Sequence, residues 1–458
     1  MQSRRDFLIR SAMAVGYAGM AAGSGISILK GQNIGLKYAF DGLFPRYDKF
    51  NPSVPVWCVT PALDRVIHRF HLTSPFSPSG RYLGLTRLSR EDRPPEPGEP
   101  AEIVLVDLKT GEQKIIAKTV GWDTQLGAQV QWGATDNELF FNDMDTTDWE
   151  PYGVKMDPIG GATMKLGYSV YSVSPDGKWA ASPCLRRIGE TQAGYGVIVP
   201  KNRIPVNKGA VDDDGVYVTN TITGKSRMIA SYKRIVEEAK PRIEVSRYGP
   251  GDFYGFHVKW NAQSERIFLV LRYLPASDQK YKPMLVTMTR NGDDIRVAIP
   301  VSEWAQKGGN HPNWCPDGTH VFMNLDIDRK GWRFVQAKYD GTELRKLTEI
   351  PANQGHPSMH PSGKFIITDA YPTEPASYGD GTSPLWLIDL EKNEKKTLVR
   401  INAVTPIFAK DPDKAQEMRV DLHPAWDSRT HTHVAINGVD KGTRRVFVAD
   451  LSGLVPSA

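Results

Sequence analysis

Short apolar segments alternate with turns rich in Pro, Gly and Asp along most of the chain. The recurring unit is an apolar strand, a Pro-Asp-Gly-like turn, a second strand, and a third strand that ends in an Asp-x-x-Thr-Gly-like turn. Pro, Gly and Asp provide the backbone geometry of hairpin turns, so they mark the boundaries between strands. A repeat of this length that contains only short strands is typical of a propeller blade.

Seven copies of this unit can be aligned. Their first turns lie at residues 76–80, 132–134, 173–177, 260–262, 314–318, 359–363 and 426–428. A strand is predicted directly after each turn, at 82–86, 139–141, 179–182, 267–271, 321–324, 365–368 and 434–436. A β-sandwich joined to unrelated parts would not account for seven copies. The pattern therefore predicts an all-β fold, a single seven-bladed β-propeller over residues 64–458, with a short helical pattern at 232–239 and an N-terminal extension at 31–63.

The first 30 residues have the pattern of a targeting segment. Ser-Arg-Arg-Asp-Phe-Leu at 3–8 precedes a weakly apolar stretch rich in Ala, Gly and Ser. Paired arginines before such a stretch are typical of a twin-arginine export signal, and the alternative is an ordinary basic leader or an anchor helix. No other apolar run approaches the roughly 20 residues needed to span a bilayer. We expect a periplasmic or secreted protein without a further transmembrane segment.

Composition excludes several classes of protein. The 458 residues contain 57 Lys and Arg against 52 Asp and Glu, a net charge of +5 that is too small to indicate nucleic acid binding. Three cysteines exclude a disulfide scaffold and a Cys-rich zinc site. The chain has no nucleophile elbow, phosphate loop or dinucleotide fingerprint. We expect a monomer.

Histidines are concentrated at one position of the repeat. The residues three positions before the turn aromatics include four of the ten histidines of the chain and are Thr73, Gln129, Val170, His257, His311, His356 and His423. Because the innermost strand of each blade begins near this position, these side chains should converge on the propeller axis. Neutral imidazole is a common ligand of divalent transition metals. The ring predicts one divalent ion (Mn²⁺, Ca²⁺ or Zn²⁺) in the central channel, and the alternative is hydrogen bonding across the channel.

Arginines stand at the far ends of the second strands, which return to the same face. They are Arg87, Arg186, Arg187 and Arg272. The guanidinium group matches carboxylate and sulfate bidentately, although an isolated strand-end Arg is usually an ion-paired surface group. No Asp/Glu pair of the kind that most glycosidases use recurs at this face. The residues indicate an acidic sugar as the substrate and β-elimination from a uronate as the chemistry.

Two segments resemble one group of carbohydrate-active propellers. They are Val-Ile-His-Arg-Phe at 66–70, which leads into the first turn, and Gln-Leu-Gly-Ala-Gln-Val-Gln-Trp-Gly at 125–133. The group comprises oligogalacturonate lyases, ulvan lyases and rhamnosidases that cleave α-L-rhamnose-1,4-D-glucuronate. The resemblance covers essentially the whole chain after the leader and implies a seven-bladed propeller that acts on acidic polysaccharides.

The resemblance to the lyases implies roles for individual residues. By likeness to the oligogalacturonate lyases, His311, His356 and Gln354 would hold a manganese-type ion, to which the ring adds His423, and His257 would be the catalytic base. By likeness to the ulvan lyases, Tyr171 and Arg187 would form a catalytic pair. Gln125 stands where a lyase histidine is expected, and glutamine does not exchange a proton near neutral pH, so a substrate-binding role is assigned to Gln125.

The resemblance to the rhamnosidases implies a different site. Those enzymes use one histidine on the opposite face with assistance from the substrate carboxylate, and His68 resembles that histidine, with His71 as the second candidate. The leading expectation is therefore hydrolysis of rhamnose–glucuronate linkages with His68 as acid and base. The alternatives are a lyase that acts on ulvan or oligogalacturonate, and a non-catalytic propeller that binds an acidic glycan.

Overall fold

The strands predicted between the turns are present and form seven separate four-stranded antiparallel sheets. The computed structural model describes residues 40–278, 280–410 and 418–458, and the sheets of this part of the chain are arranged as the blades of a propeller. The prediction of an all-β, seven-bladed propeller is confirmed. The export signal predicted at residues 1–30 lies outside the described residues.

Each blade is built from consecutive strands, except that the last blade also uses the first strand of the chain, β1 (Val56–Cys58). Blade one contains β2 (Val66–Ile67), β3 (Tyr82–Arg87), β4 (Ala101–Asp107) and β5 (Gln113–Thr119). Blade two contains β6 (Gln131–Trp132), β7 (Leu139–Asp145), β8 (Glu150–Met156) and β9 (Thr163–Lys165). Blade three contains β10 (Ser172–Val173), β11 (Trp179–Ser182), β12 (Gly215–Asn220) and β13 (Ser226–Ser231). Blades four and five contain β14 (Gly251–Trp260), β15 (Arg266–Pro275), β16 (Lys282–Thr289), β17 (Arg296–Ile299); and β18 (Gly309–Trp314), β19 (His320–Leu325), β20 (Arg333–Lys338), β21 (Arg345–Pro351). Blades six and seven contain β22 (Ser358–Met359), β23 (Phe365–Asp369), β24 (Thr382–Asp389), β25 (Glu394–Asn402); and β26 (Ala425–Trp426), β27 (His433–Asp440), β28 (Thr443–Asp450).

The two ends of the chain close the ring in blade seven. Strand β1 pairs antiparallel with β28, with Val56 opposite Ala449. Trp57 anchors this strand, because its ring lies 4.9 Å from that of Phe40 and its indole nitrogen donates to Asp41 at 2.9 Å. Strand β1 lies within residues 31–63, so part of the segment assigned to the N-terminal extension is a blade strand.

Turn tryptophans join neighbouring blades. The indole nitrogens of Trp132, Trp260, Trp314 and Trp426 each donate to a backbone carbonyl oxygen in the preceding blade, at 2.8, 3.1, 3.0 and 3.1 Å. Each ring thus packs between two sheets while its one donor is satisfied, which is the arrangement a buried tryptophan requires. The repeated turn aromatics are therefore inter-blade contacts.

Helices are few and short. They are α1 (Leu185–Ile188), α2 (Tyr232–Glu238), α3 (Trp304–Lys307) and α4 (Pro406–Lys410), with 3₁₀ turns at Lys201–Arg203 and Ser246–Tyr248. The helical pattern predicted at 232–239 corresponds to α2, whose N-cap Ser231 accepts a hydrogen bond from the Arg234 amide. Helices α1 and α3 lie in connections between strands near one face of the channel.

Irregular backbone at the starts of the inner strands directs side chains into the channel. The pairing of β14 with β15 shifts register between Gly255 and Val258, around His257, and β18 shifts between Asn310 and Asn313, around His311. His311 and His423 have φ angles of 55° and 50°, in the left-handed region. Bulges and left-handed residues re-aim side chains and are often found next to active sites.

Candidate functional site

Two cavities occupy the two ends of the central channel. The first has a volume of about 520 Å³ and is lined by residues including His257, His311, Gln354 and Arg272. The second, about 410 Å³, is lined largely by the first turns of the blades and by His71 and Lys259. The ring of Phe70 fills the axis between them, because it is 1% exposed and lies 4.9 Å from the ring of His257 and 4.5 Å from that of His423.

The four histidines that share one position of the repeat converge on the propeller axis, as predicted. The ring centroids of His311 and His356 are 4.1 Å apart, and those of His356 and His423 are 4.4 Å apart. His257 stands apart from these three and stacks on Phe70. The four histidines therefore divide into a cluster of three and one separate imidazole.

The cluster forms a donor set suited to a divalent ion. Ligand atoms of His356, His423 and Asp421 lie within 4.8 Å of one another. The Asp421 Oδ2 atom is 4.0 Å from His356 Nε2 and 3.7 Å from His423 Nε2. Both ring nitrogens of His423 are buried without a hydrogen-bond partner. Imidazole nitrogens together with a carboxylate fit Mn²⁺ or Zn²⁺, so the residues present match the predicted metal.

Outer hydrogen bonds orient two of these imidazoles. His356 Nδ1 lies 3.0 Å from Asp369 Oδ2, and His311 Nδ1 donates to the Gly355 carbonyl oxygen at 2.9 Å. This leaves the Nε2 atom of each ring for a ligand, the arrangement seen around metal-binding histidines. Although burial opposes the charged form, Asp369 and Asp421 raise the pKa of His356. Burial, with a contribution from His356, lowers the pKa of His423 and His311 well below the usual value.

Asp421 was missed by sequence reasoning, although a signal was present. It precedes His423 by two residues, as Gln354 precedes His356 by two. Gln354 lines the first cavity, whereas Asp421 is not part of the lining and accepts a hydrogen bond from Arg419 Nε at 3.0 Å. Although burial opposes the charge, this carboxylate raises the pKa of the Arg419 guanidinium.

Tyr371 contacts the histidine cluster and, like His311, lines the first cavity. Its hydroxyl lies 3.5 Å from His311 Nε2 and 3.4 Å from His356 Nε2, and its side chain lines the cavity together with Arg419. Burial, with a contribution from Asp421, raises the pKa of Tyr371 well above its usual value. The Tyr371 hydroxyl therefore keeps its proton at neutral pH. The sequence interpretation had not selected Tyr371.

His257 and Tyr171 form a hydrogen-bonded pair between the Tyr171 hydroxyl and His257 Nδ1. Burial, with a contribution from Arg272, lowers the pKa of His257 well below its usual value, so this imidazole is neutral. Burial also raises the pKa of Tyr171. The arginine beside Tyr171 is Arg69, whose guanidinium carbon lies 4.8 Å from the ring centroid.

Arg272 is a buried cation in the wall of the first cavity. Its guanidinium carbon lies 3.6 Å from the ring centroid of Phe256 and 3.9 Å from that of Tyr281. It donates to the carbonyl and hydroxyl oxygens of Thr191, both at 3.1 Å, and its Nε atom has no partner. Within the described ranges no carboxylate forms an ion pair with it. Burial lowers the pKa of Arg272 to about 10, so it remains charged and available to an anionic ligand at neutral pH.

The other predicted arginines have acidic partners and do not line the first cavity. Arg87 pairs with Asp64 and Glu102, Arg186 with Glu150, and Arg187 with Asp214. The expected gathering of four arginines around the histidines thus holds for Arg272 alone, because carboxylates of nearby strands and loops neutralise the others. Arg187 contacts Asp214 rather than Tyr171, so the predicted Tyr171–Arg187 pair is not formed.

Two further predicted residues are buried away from the cavities. His68 is 0% exposed, lines neither of the two cavities, and has a pKa that burial lowers to about 3. Gln125 is also buried, and its amide donates to the Arg419 carbonyl oxygen at 3.2 Å. Gln125 therefore supports the loop that carries Arg419, and neither residue is placed to touch a ligand in these cavities.

The arrangement is that of a propeller with a cationic, histidine-lined cavity. No family model and no curated protein matches the chain. Among solved structures, an oligogalacturonate lyase in complex with manganese is 14% identical, with a TM-score of 0.62 over 89% of this chain and 96% of that one. An oligogalacturonate lyase from Vibrio parahaemolyticus is 10% identical, with a TM-score of 0.60 over the same shares. At these identities the similarity shows the fold alone.

None of the helices in the described ranges is long and apolar enough to cross a bilayer.

Proposed function

We propose that the protein cleaves an acidic, uronate-containing oligosaccharide or polysaccharide by β-elimination. The observation that carries this proposal is the first cavity, which is lined both by the neutral imidazole of His257 and by Arg272, a cation without a carboxylate partner in the described ranges. A base and a fixed cation are the two groups that proton abstraction beside a carboxylate requires. The similarity in fold to oligogalacturonate lyases supports the same chemistry.

Arg272 binds the uronate carboxylate in the proposed complex. Arg272 lines the first cavity without a carboxylate partner, and its charge stabilises the negative charge that develops when the C5 proton leaves. The stacking of the guanidinium between Phe256 and Tyr281 holds it in place before the substrate arrives. Such preorganisation removes the cost of orienting the group during reaction.

His257 is the proposed base. It takes the C5 proton, the C5–H electrons form the C4–C5 double bond, and the C4–O4 bond breaks with its electrons on oxygen. Tyr171, bonded to Nδ1, orients the imidazole, and the Tyr371 hydroxyl supplies the proton to the leaving oxygen. The net reaction divides one chain into an unsaturated uronate and a free hydroxyl.

A divalent ion would be held by His356, His423 and Asp421, with His311 and Gln354 adjacent. Such an ion supplies positive charge next to a developing anion when it is bound. The proposed ion is one of Mn²⁺, Ca²⁺ and Zn²⁺. Export by the twin-arginine route, a periplasmic or secreted location and a monomeric state remain predictions.

Hydrolysis of rhamnose–glucuronate linkages is less well supported. That reaction would need His68 to contact the substrate, and His68 is fully buried outside both cavities. His71, the second candidate, lines the second cavity, but burial lowers its pKa well below the usual value, so at neutral pH this imidazole is not protonated and cannot act as the acid. Elimination therefore fits the geometry better than hydrolysis does.

The products distinguish the candidate functions. On a panel of oligogalacturonate, ulvan and rhamnose–glucuronate substrates, we expect ultraviolet absorbance from an unsaturated uronate and no free rhamnose. Release of rhamnose without new absorbance would show that hydrolysis is the correct reading. Retained glycan binding without any product would show a non-catalytic binding propeller.

Replacing Arg272 with glutamine tests carboxylate recognition. Hydrogen bonds to charged groups contribute about 1.5–3 kcal/mol, so we expect KM to rise about 10–100-fold. Steady-state kinetics on an active uronate substrate measures the change. Arg266→Gln is the matched control, because Arg266 begins the same strand, β15, and pairs with Asp294 outside the cavity. An unchanged KM in Arg272→Gln would remove Arg272 from the proposed site.

A further inference from the structure

The second cavity holds a lysine that the proposed elimination does not use. Strand β14 runs along the channel and carries His257 in the first cavity and, two residues later, Lys259 in the second. Phe70 fills the axis between the two cavities. The surroundings of Lys259 therefore form a separate site.

Lys259 is half-buried and has no acidic partner in the described ranges. Its side chain forms no ion pair and no hydrogen bond within the ranges 40–278, 280–410 and 418–458, and the cation Arg69 acts against its charged form. Burial, with a smaller contribution from Arg69, lowers the pKa of Lys259 to about 7. A lysine desolvated beside another cation is held partly as the free amine, which is the nucleophilic form.

No other titratable group in the lining of the second cavity forms an ion pair that would stabilise the charged form of Lys259. His71 is 2% exposed with both ring nitrogens unpartnered, and His431 also lines the wall. The one carboxylate in the lining, Asp427, already accepts from the amides of Arg429, Thr432 and His433 at 3.0, 2.8 and 2.9 Å. Lys259, partly in its free amine form, thus lines the second cavity without a carboxylate partner.

We propose that Lys259 forms an imine with small aldehydes or ketones that enter the second cavity. The amine nitrogen attacks the carbonyl carbon to form a C–N bond, and the carbonyl oxygen takes up protons. It leaves as water, and the nitrogen loses its protons to solvent as the C=N bond forms. A volume of about 410 Å³ is within the usual range of small-molecule sites and accommodates an open-chain monosaccharide.

Trapping with borohydride tests the proposal on the full chain. The protein is incubated with pyridoxal or glyceraldehyde at about pH 7, reduced, digested and mapped by mass spectrometry. An ordinary lysine has a pKa of about 10.4, so we expect Lys259 to be labelled at least about 10-fold faster than the exposed Lys178. Equal labelling of Lys259 and Lys178 would overturn the proposal.

A second measurement uses the unmodified protein and therefore does not require that a variant fold correctly. Competitive acetylation of the unmodified protein across pH gives the titration midpoint of each lysine, and a midpoint for Lys259 near that of Lys178 would also overturn the proposal. Lys259→Arg should lose the reduced adduct at this position while keeping the elimination activity of the other cavity. Because the two cavities use different residues, failure of this proposal leaves the proposed elimination unaffected.

Discussion

Replacing His257 with alanine is expected to lower kcat for elimination by about 10²–10⁴-fold, the usual contribution of a positioned general base. His257 lines the first cavity, bonds to the Tyr171 hydroxyl through Nδ1 and stands beside Arg272. The absorbance of the unsaturated uronate measures the rate. KM should change little, because the imidazole acts mainly on the proton that is removed in the transition state.

The pH profile provides an independent test of the same residue. A base works in its neutral form, which predominates above its pKa, and burial with Arg272 lowers the pKa of His257. The rate should therefore not fall as the pH decreases to about 6.5, where a free histidine becomes protonated. An acid limb at or above that value in the unmodified protein would contradict the assignment.

A surface histidine serves as the control for the His257 variant. His320 pairs with Asp317 and Glu343 on the outside of blade five and is absent from the cavity lining. His320→Ala should keep kcat within about twofold, since surface substitutions away from special features have small effects. If His257→Ala and His320→Ala were equally active, the base would have to lie elsewhere.

Removing the ligands of the candidate metal site should have the second large effect. His356→Ala and Asp421→Asn are expected to weaken Mn²⁺ binding by about 100-fold or more, because loss even of an outer partner costs 10–100-fold in affinity. Calorimetric titration of chelator-treated protein with Mn²⁺, Ca²⁺ and Zn²⁺ measures binding directly. The elimination activity of the two variants should fall in parallel with their affinity for the ion. The unmodified protein should lose activity on treatment with chelator and regain it when the ion is added back.

The chain also offers a control for metal binding. Asp317 and His320 form an aspartate–histidine pair with a 2.6 Å contact at the surface, outside the buried cluster. Asp317→Asn should leave Mn²⁺ affinity unchanged, whereas Asp421→Asn should not. If unmodified protein bound none of the three ions, the histidine cluster would be a hydrogen-bonded filling of the channel, which was the alternative derived from the sequence.

Sequence periodicity predicted the strands closely. The segment predicted as a strand at 179–182 corresponds to β11, and those predicted at 82–86 and 365–368 each lie within an observed strand that extends one residue further. Turn residues mark both ends of these short strands, because hairpin geometry requires Pro, Gly and Asp there. Strand β1 was missed, since it has no turn signal of its own and pairs with β28 across almost the whole chain.

The site was predicted in part. His257, His311, His356 and His423 share one position of the repeat. This indicated that they converge on the axis, because the inner strand of every blade begins at the same distance from the propeller axis. Asp421 could have been found from its offset to His423. Tyr371 and Arg69 could not, since Tyr371 comes from a loop of blade six and Arg69 from the chain after β2, and neither belongs to the repeat.

The sequence by itself determined the number of blades, the positions of most strands and the gathering of histidines, because a repeat places equivalent residues at equivalent positions around one axis. Only the tertiary structure decided which charges remain free. Arg87, Arg186 and Arg187 are neutralised by carboxylates, whereas the buried Arg272 and the half-buried Lys259 have no such partner in the described ranges. Burial and ion pairing depend on side-chain contacts that do not follow the period of the repeat, and these contacts made one arginine of β15 and one channel lysine the candidates for chemistry.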